Sequence, residues 1–531
     1  MDILREHPAL VEQPRVRHEH DLVGGRRVWG ERVVRPREIH IIKGMRKVTR
    51  TTLPGWRSAE SVVARFASSG DVAWFDAGVD ADAPGSSPRP GHPRRSLVGW
   101  GDGVLTASVT DEGSVERALR LLAGEGAEAD AGAEHASAVD AQDPEPLGWW
   151  GVLGYGAGAE LLAPRDASRA RVLTDPARPD LMFLDVDRAL VFDHEAGTVE
   201  LVTAGHHEEW ARSVDGWWRE APVVPAAGAD SPLHPPQPVR EAEWRDSERE
   251  YLGLVDRCQR AIRDGDAFVL CLTTSVTVRR ITETDLDLYA RLRRTSPAPR
   301  ACFLRIGGTA ILCASPETFV TVDPAGIAST SPIKGTRPRG SDPGSDALIA
   351  AELRGNAKER AENLMIVDLM RNDLSRVAVP GRVEVADLFE VRSYEHVHQL
   401  VSTVTARLRP GLGAVDVVRA AFPPGSMTGA PKHSAVSLLA SWETGPRGVY
   451  SGAVGRIARD GSADLAVVIR TIVLDTTTGT ATVGVGGGIT AASVPAEEVA
   501  EIRTKAEALL RVLGAAGADP AFGSPRDVSL L

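Results

Sequence analysis

Lysine is scarce in this chain. Only six of its 61 basic residues are lysines: Lys43, Lys47, Lys334, Lys358, Lys432 and Lys505. For a solvated surface charge arginine serves as well, but a guanidinium stays protonated and cannot replace an amine that must attack as a nucleophile. A lysine kept against such a background is a candidate for chemistry. Cysteine is scarcer still, with Cys258, Cys271, Cys302 and Cys313 only. They show no CxxC spacing and no accompanying histidine cluster. That excludes a zinc ribbon and a disulfide framework, and reads as buried thiols of a reducing cytoplasm. Positive charge is also in deficit: the net charge of -11 argues against a nucleic-acid binder or a polybasic membrane contact. No apolar run approaches the roughly 18 residues of a membrane-spanning helix. The opening Met1-Asp2-Ile3-Leu4-Arg5-Glu6-His7 lacks the apolar core of a signal peptide.

What is present is ample for a large core. The 531 residues are 43% hydrophobic and 25% charged, an ordinary globular balance, and too many for one simple domain. Residues 1–45 are rich in Arg, His, Glu and Pro without periodicity and read as a disordered or non-native extension, with Met45 a candidate translation start. Residues 46–225 read as an N-terminal lobe of short strands. It is interrupted by two surface insertions, Asp80 to Arg95 and Gly124 to Pro146. An Ala/Pro-rich linker, Pro222 to Pro238, leads to a second domain over 240–514, and residues 515–531 read as a tail.

In the second domain the spacing predicts helices over Glu241 to Asp264, Thr284 to Thr295, most of Asp342 to Ser375, and Pro495 to Leu513. It predicts strands at Ala267 to Val278, Val449 to Ile457, Ala466 to Leu474 and Thr480 to Val485. Lys334 falls in Ser331-Pro332-Ile333-Lys334-Gly335-Thr336, where Pro332 and Gly335 place it on a turn or strand end. Glu359 and Glu362 share one helical face, and Glu498, Glu501 and Lys505 share another. If the two faces meet across a cleft, their carboxylates suit a hard divalent cation such as magnesium; if not, they are solvated faces with a surface ion pair. Arg470, within an apolar strand, needs an anion: an internal carboxylate or a carboxylate of a substrate. Gly486-Gly487-Gly488 lets backbone N–H groups approach an anion. Phe422 to Lys432 is a turn-rich loop whose hydroxyls suit polar ligand contacts, with Thr428 a candidate helix cap.

Taken together, these motifs resemble the chorismate-utilising enzymes, over about Asp71 to Leu513. That resemblance implies an α+β fold, a large two-sheet β-sandwich with helices outside. Within the family, four features are similar to the aminodeoxychorismate synthase branch and differ from the anthranilate synthases. They are Lys334 in Pro332-Ile333-Lys334-Gly335-Thr336, Asn363 in Ala361-Glu362-Asn363-Leu364-Met365, Ser426-Met427-Thr428 in the Pro424 to Lys432 loop, and Gln399 in Val397-His398-Gln399-Leu400. Isochorismate and salicylate synthases are less similar, because the position of their water-activating lysine falls near Val269.

The resemblance implies roles residue by residue. Glu362 and Glu501, with Glu359 and Glu498 alongside, match magnesium ligands that hold the ring carboxylate of chorismate. Arg470 and Tyr450 match contacts to the enolpyruvyl carboxylate, helped by Gly486 and Gly488; Ser426 and Lys505 match further substrate contacts. Glu317 matches the acid that protonates the departing C4 hydroxyl, and Lys334 the amine that adds at C2 before ammonia adds at C4. The implied product is 4-amino-4-deoxychorismate, for 4-aminobenzoate, folate or an aminobenzoate-derived metabolite. None of the four cysteines sits in a Gly-x-Cys-x-Gly elbow, so a separate glutamine amidotransferase subunit is the expected ammonia source. His433-Ser434-Ala435-Val436-Ser437 departs from the Arg and acidic residue usual after Pro431-Lys432, in a helix expected near the partner surface. Anthranilate synthase component I and a non-catalytic chorismate or amino-acid sensor are the alternatives.

Overall fold

The computed structural model describes residues 48–66, 70–77, 94–124, 146–162, 174–175, 178–205, 207–220, 239–394 and 397–515. The expected N-terminal extension, both insertions almost entirely, the linker and all of the tail but Ala515 lie outside the described residues; Ala515 itself is buried in the core.

The described residues build two antiparallel sheets, one of twelve strands and one of ten. Apolar side chains cluster in three places. One cluster fills the space between the sheets, with Trp150, Met182, Leu184, Leu304, Ile311 and Val454. The other two lie on the outer faces, beneath helices: Tyr251, Leu288 and Ile502 pack on the larger sheet, and Leu119, Ile366 and Val418 on the smaller. A sheet hydrophobic on both faces needs cover on both, and the layered sandwich with outer helices follows. Among the described residues no helix is long and apolar enough to cross a membrane.

The linker does not divide the sheets. In the larger one Val72–Asp76 pairs with Arg300–Ile306, and in the smaller one Gly148–Leu153 pairs with Ala453–Ala458. Strands from before and after the linker therefore complete each other in both layers.

Local signals fix the helices that carry the site. The helix Ala357–Ser375 starts at Asn356, whose side chain accepts from the Glu359 N–H at 3.1 Å. The C-terminal helix Pro495–Val512 opens on a proline, with Glu497 and Glu498 in its first turn and Arg511 in its last, the arrangement that suits the helix dipole. Four sequence expectations shift. The helix predicted from Glu241 begins at Glu248, where Ser247 and Glu250 form a capping box, and Ala242–Trp244 is a short strand. The strand predicted over Val449 to Ile457 occupies Ala453–Ala458, and the one from Thr480 runs on to Ile489, so the three glycines lie inside it. Thr428 does not cap the start of the following helix: it is fully buried, it ends the short 3-10 turn Gly425–Met427 with its hydroxyl donating to the Gly425 carbonyl at 3.2 Å, and the next helix begins at Lys432.

Candidate active site

The largest departure from the predicted elements makes the site. Instead of one strand over Ala466 to Leu474 there are two. Ala463–Val467 belongs to the ten-stranded sheet and Thr471–Asp475 to the twelve-stranded one. The chain crosses between sheets at Val468-Ile469-Arg470, and Arg470 takes a left-handed backbone conformation, φ +51°. Periodicity cannot reveal such a crossing, because the apolar run is continuous through it. Arg470 lines a cavity of about 560 Å³. Its side chain is open to solvent through the cavity, and partial desolvation by the walls lowers its pKa. Among the described residues it makes no ion pair.

All twelve candidate residues line this one cavity: Glu317, Lys334, Glu359, Glu362, Ser426, Tyr450, Arg470, Gly486, Gly488, Glu498, Glu501 and Lys505. Lys334 lies on the strand Ile333–Pro338, paired with Leu400. The register slips between Lys334 and Thr336, where Gly335 has φ +73°. This bulge breaks strict alternation, so Lys334, Gly335, Thr336 and Arg337 all reach the cavity. Opposite stands the glycine-rich end of Thr480–Ile489. A methyl carbon placed on Gly488 would lie 3.5 Å from Lys334 Nζ, and one on Gly484 would lie 2.1 Å from Tyr450 Cγ. The tyrosine ring occupies the space of the side chain missing at Gly484, and the lysine nitrogen stands at contact distance from the one missing at Gly488.

The acidic side is built from two helices. Burial raises the pKa of Glu362, and Glu359 and Glu501 raise it further against the pull of Lys334 and Lys358. Burial likewise raises Glu498, with Glu501 adding to it. Burial also pushes Glu501 upward, but Lys505, Lys334 and Lys358 outweigh it and hold this carboxyl below its usual range. Lys505 Nζ lies 2.5 Å from Glu501 Oε1 and donates to the Gly486 carbonyl at 2.8 Å. Glu359 receives Arg337 Nη1 at 3.3 Å. Among the described residues no three His, Cys, Asp or Glu side chains form a ready metal cluster. The donors are nonetheless all carboxylates, and their mutual repulsion is what a hard cation relieves.

Glu317 is 7% exposed. Burial raises its pKa, while the Ser426 hydroxyl and the charges of Lys334 and Lys505 draw it back in part. The loop carrying Ser426 is clamped from both ends. Lys432 is itself buried and donates to Asp373 Oδ2 at 2.7 Å, to the Pro423 carbonyl at 2.9 Å and to the Ala421 carbonyl. Arg447 donates to the Met427 carbonyl at 2.7 Å and is held by Glu443, 2.7 Å away.

Sequence reasoning missed Arg337, Lys358 and Thr504, which also line the cavity. Helical spacing carried a signal for two of them: Lys358 is four residues before Glu362, and Thr504 three after Glu501. Arg337 had none, because its inward aim depends on the bulge.

The sequence matches the family model for chorismate binding enzymes over residues 100–511. It is 44% identical over 380 residues to an aminodeoxychorismate synthase of Streptomyces griseus, covering 70% of this chain and 50% of that protein. It is 40% identical over 458 residues to an aminodeoxychorismate synthase of Streptomyces pristinaespiralis, covering 82% of this chain and 62% of that one. The chain thus spans roughly half to three-fifths of these relatives' length. Among solved structures, anthranilate synthase component I from Streptococcus pneumoniae superposes with a TM-score of 0.65 at 27% identity, over 78% of this chain and 92% of that one. This chain belongs to the chorismate binding enzyme family.

Proposed function

We propose that the chain aminates chorismate at C4 to give 4-amino-4-deoxychorismate, which supplies 4-aminobenzoate for folate or a related metabolite. The observation that carries this reading is the position of Lys334, in one cavity with an acid of raised pKa, Glu317, and with four helix glutamates. The likeness to the two Streptomyces aminodeoxychorismate synthases supports it. So does Gln399, whose amide is no base for eliminating pyruvate to an aromatic product and which lines the same cavity.

Arg470, which forms no ion pair among the described residues, and Tyr450 receive the enolpyruvyl carboxylate; Ser426 and Lys505 hold the ring. Glu317 gives its proton to the C4 oxygen, which leaves as water. As the C4–O bond breaks, the Lys334 amine adds at C2 and the two ring double bonds shift. Ammonia then forms the C4–N bond, the double bonds return, and the C2–N bond to Lys334 breaks. The net change is ammonia gained and water lost. Magnesium held by Glu362 and Glu501, with Glu359 and Glu498 alongside, would neutralise the ring carboxylate and draw electron density toward it.

All four cysteines are free and buried, and burial pushes the Cys258 thiol up to about 12. None has the character of an amidotransferase nucleophile. We infer that ammonia comes from a glutamine amidotransferase, for which free ammonia substitutes.

The test is incubation of purified protein with chorismate, magnesium and an ammonium salt, with the product identified by mass spectrometry. Omission of magnesium and Lys334→Ala run alongside. Aminodeoxychorismate that depends on both supports the reading; fluorescent anthranilate overturns it.

A further inference from the structure

Pro332 carries no N–H, so the strand pairing around Lys334 must be interrupted just before it. The interruption is visible in the register. Thr330 pairs with Val404 and Ile333 with Val401, which leaves Ser331 and Pro332 opposite Thr403 and Ser402. At this gap the Pro332 carbonyl accepts two hydrogen bonds, from the Ser402 N–H at 3.2 Å and from Asn363 Nδ2 at 3.3 Å. Asn363 is 0% exposed and follows Glu362 on the helix Ala357–Ser375. Its other amide atom is also used: Ser402 Oγ donates to Asn363 Oδ1 at 2.5 Å. The same hydroxyl accepts from the Phe389 N–H at 3.0 Å, where the neighbouring strand has a left-handed residue, φ +58°.

A carboxamide is donor and acceptor at once. Aspartate in its place offers Pro332 no donor, and leucine offers neither group. In a site without solvent, aspartate sets a carboxylate oxygen against the Pro332 carbonyl, which keeps only its bond from the Ser402 N–H, and leucine also leaves the Ser402 hydroxyl without its acceptor. The amide thus ties together the strand that carries Lys334, two residues on, and the helix that carries Glu359 and Glu362.

We propose that Asn363 is a positioning residue: through Pro332 and Ser402 it fixes the lysine strand against the glutamate helix and sets where the Lys334 amine stands in the cavity. The kinetic side of this proposal rests on the function proposed above; the placement of the amine does not.

Two variants test it, Asn363→Asp and Ser402→Ala, each compared with wild type at a temperature where circular dichroism shows it folded. The first readout is chemical. Acylation of Lys334 by an N-hydroxysuccinimide ester is followed by mass spectrometry across pH, with exposed Lys358 as internal reference. The second is steady-state amination with ammonium. The proposal expects the Lys334 labelling profile to move relative to Lys358. It expects kcat to fall about 100-fold, the size of effect that follows a displacement of about 1 Å, with the chorismate KM changed less than about threefold. A purely structural role lowers the melting temperature but leaves the labelling profile and the kcat of folded protein unmoved, and that result overturns the proposal. If Asn363→Asp does not fold, Ser402→Ala decides alone, since it removes the hydroxyl's bonds to Asn363 and the Phe389 N–H and leaves the bond from the amide to Pro332 in place. If wild type fails to aminate chorismate, the functional reading falls, while a moved labelling profile in the variants still upholds the positioning role.

Discussion

Lys334 and Gly488 face each other across the cavity, so close that a methyl carbon on Gly488 would stand 3.5 Å from the lysine nitrogen and 3.6 Å from Val269 Cγ2. Both are ordinary contact distances. Gly488→Ala is therefore expected to fold, with a stability change within about 1 kcal/mol, but to crowd the amine and lower kcat. Gly484→Ala is the contrast. Its methyl would lie 2.1 Å from Tyr450 Cγ, an overlap that costs about 1–3 kcal/mol. Denaturant midpoints and amination kinetics on the two variants separate crowding of the amine from damage to the fold.

Glu317 links activity to pH. Burial raises its pKa, so the carboxyl keeps its proton to a higher pH than an ordinary glutamic acid and loses it as pH rises through the folded-state value. Amination by wild type should decline through that window. Glu317→Gln should lose most activity and show no such limb. Stability follows the same sign. A raised carboxyl pKa contributes fully below the unfolded value and is lost as pH rises through the folded one. Glu317→Gln should therefore unfold at a higher temperature than wild type above the window, with the gap closing below it. Equal pH dependence of the two melting curves would contradict this.

Arg470 combines strain with a charge that forms no ion pair among the described residues. Its left-handed backbone, φ +51°, costs a residue with a Cβ about 1–2 kcal/mol. Arg470→Gly should thus be as stable as wild type or more so. It should bind chorismate poorly: losing hydrogen bonds from a charged group, about 1.5–3 kcal/mol, raises KM roughly 10- to 100-fold. An unchanged KM would remove Arg470 from the substrate site.

Lys432 is structural despite being one of the scarce lysines. It is 6% exposed, and its three donors meet Asp373, Pro423 and Ala421. Lys432→Met leaves Asp373 buried without its cation, which costs about 3–5 kcal/mol. Chemical denaturation should show that loss, and Lys432→Met/Asp373→Asn should recover part of it.

Much of this was legible in the sequence because the signals are local. The scarcity of lysine marked Lys334. Spacings of three and four marked Glu359 with Glu362, and Glu498 with Glu501. These follow from helix geometry, which depends on neighbours in the chain. The resemblance carried by the same motifs then named the family and its two-sheet architecture. Lysine scarcity alone did not separate the cavity-lining Lys334 from Lys432 in its buried ion pair: the two are equally rare, and only their surroundings distinguish them.

The sequence by itself determined which residues are the candidates and that they belong to strands and helices of a sandwich. Tertiary structure decided that the two acidic faces meet over one cavity, that Arg470 stands where the chain crosses between sheets, and that Asn363 closes the gap left by Pro332. These are long-range facts. A strand crossing inside a continuous apolar run, a bulge that turns Arg337 inward and an amide that satisfies a carbonyl 31 residues away are each fixed by buried polar groups finding partners. Those partners exist only once distant segments have packed.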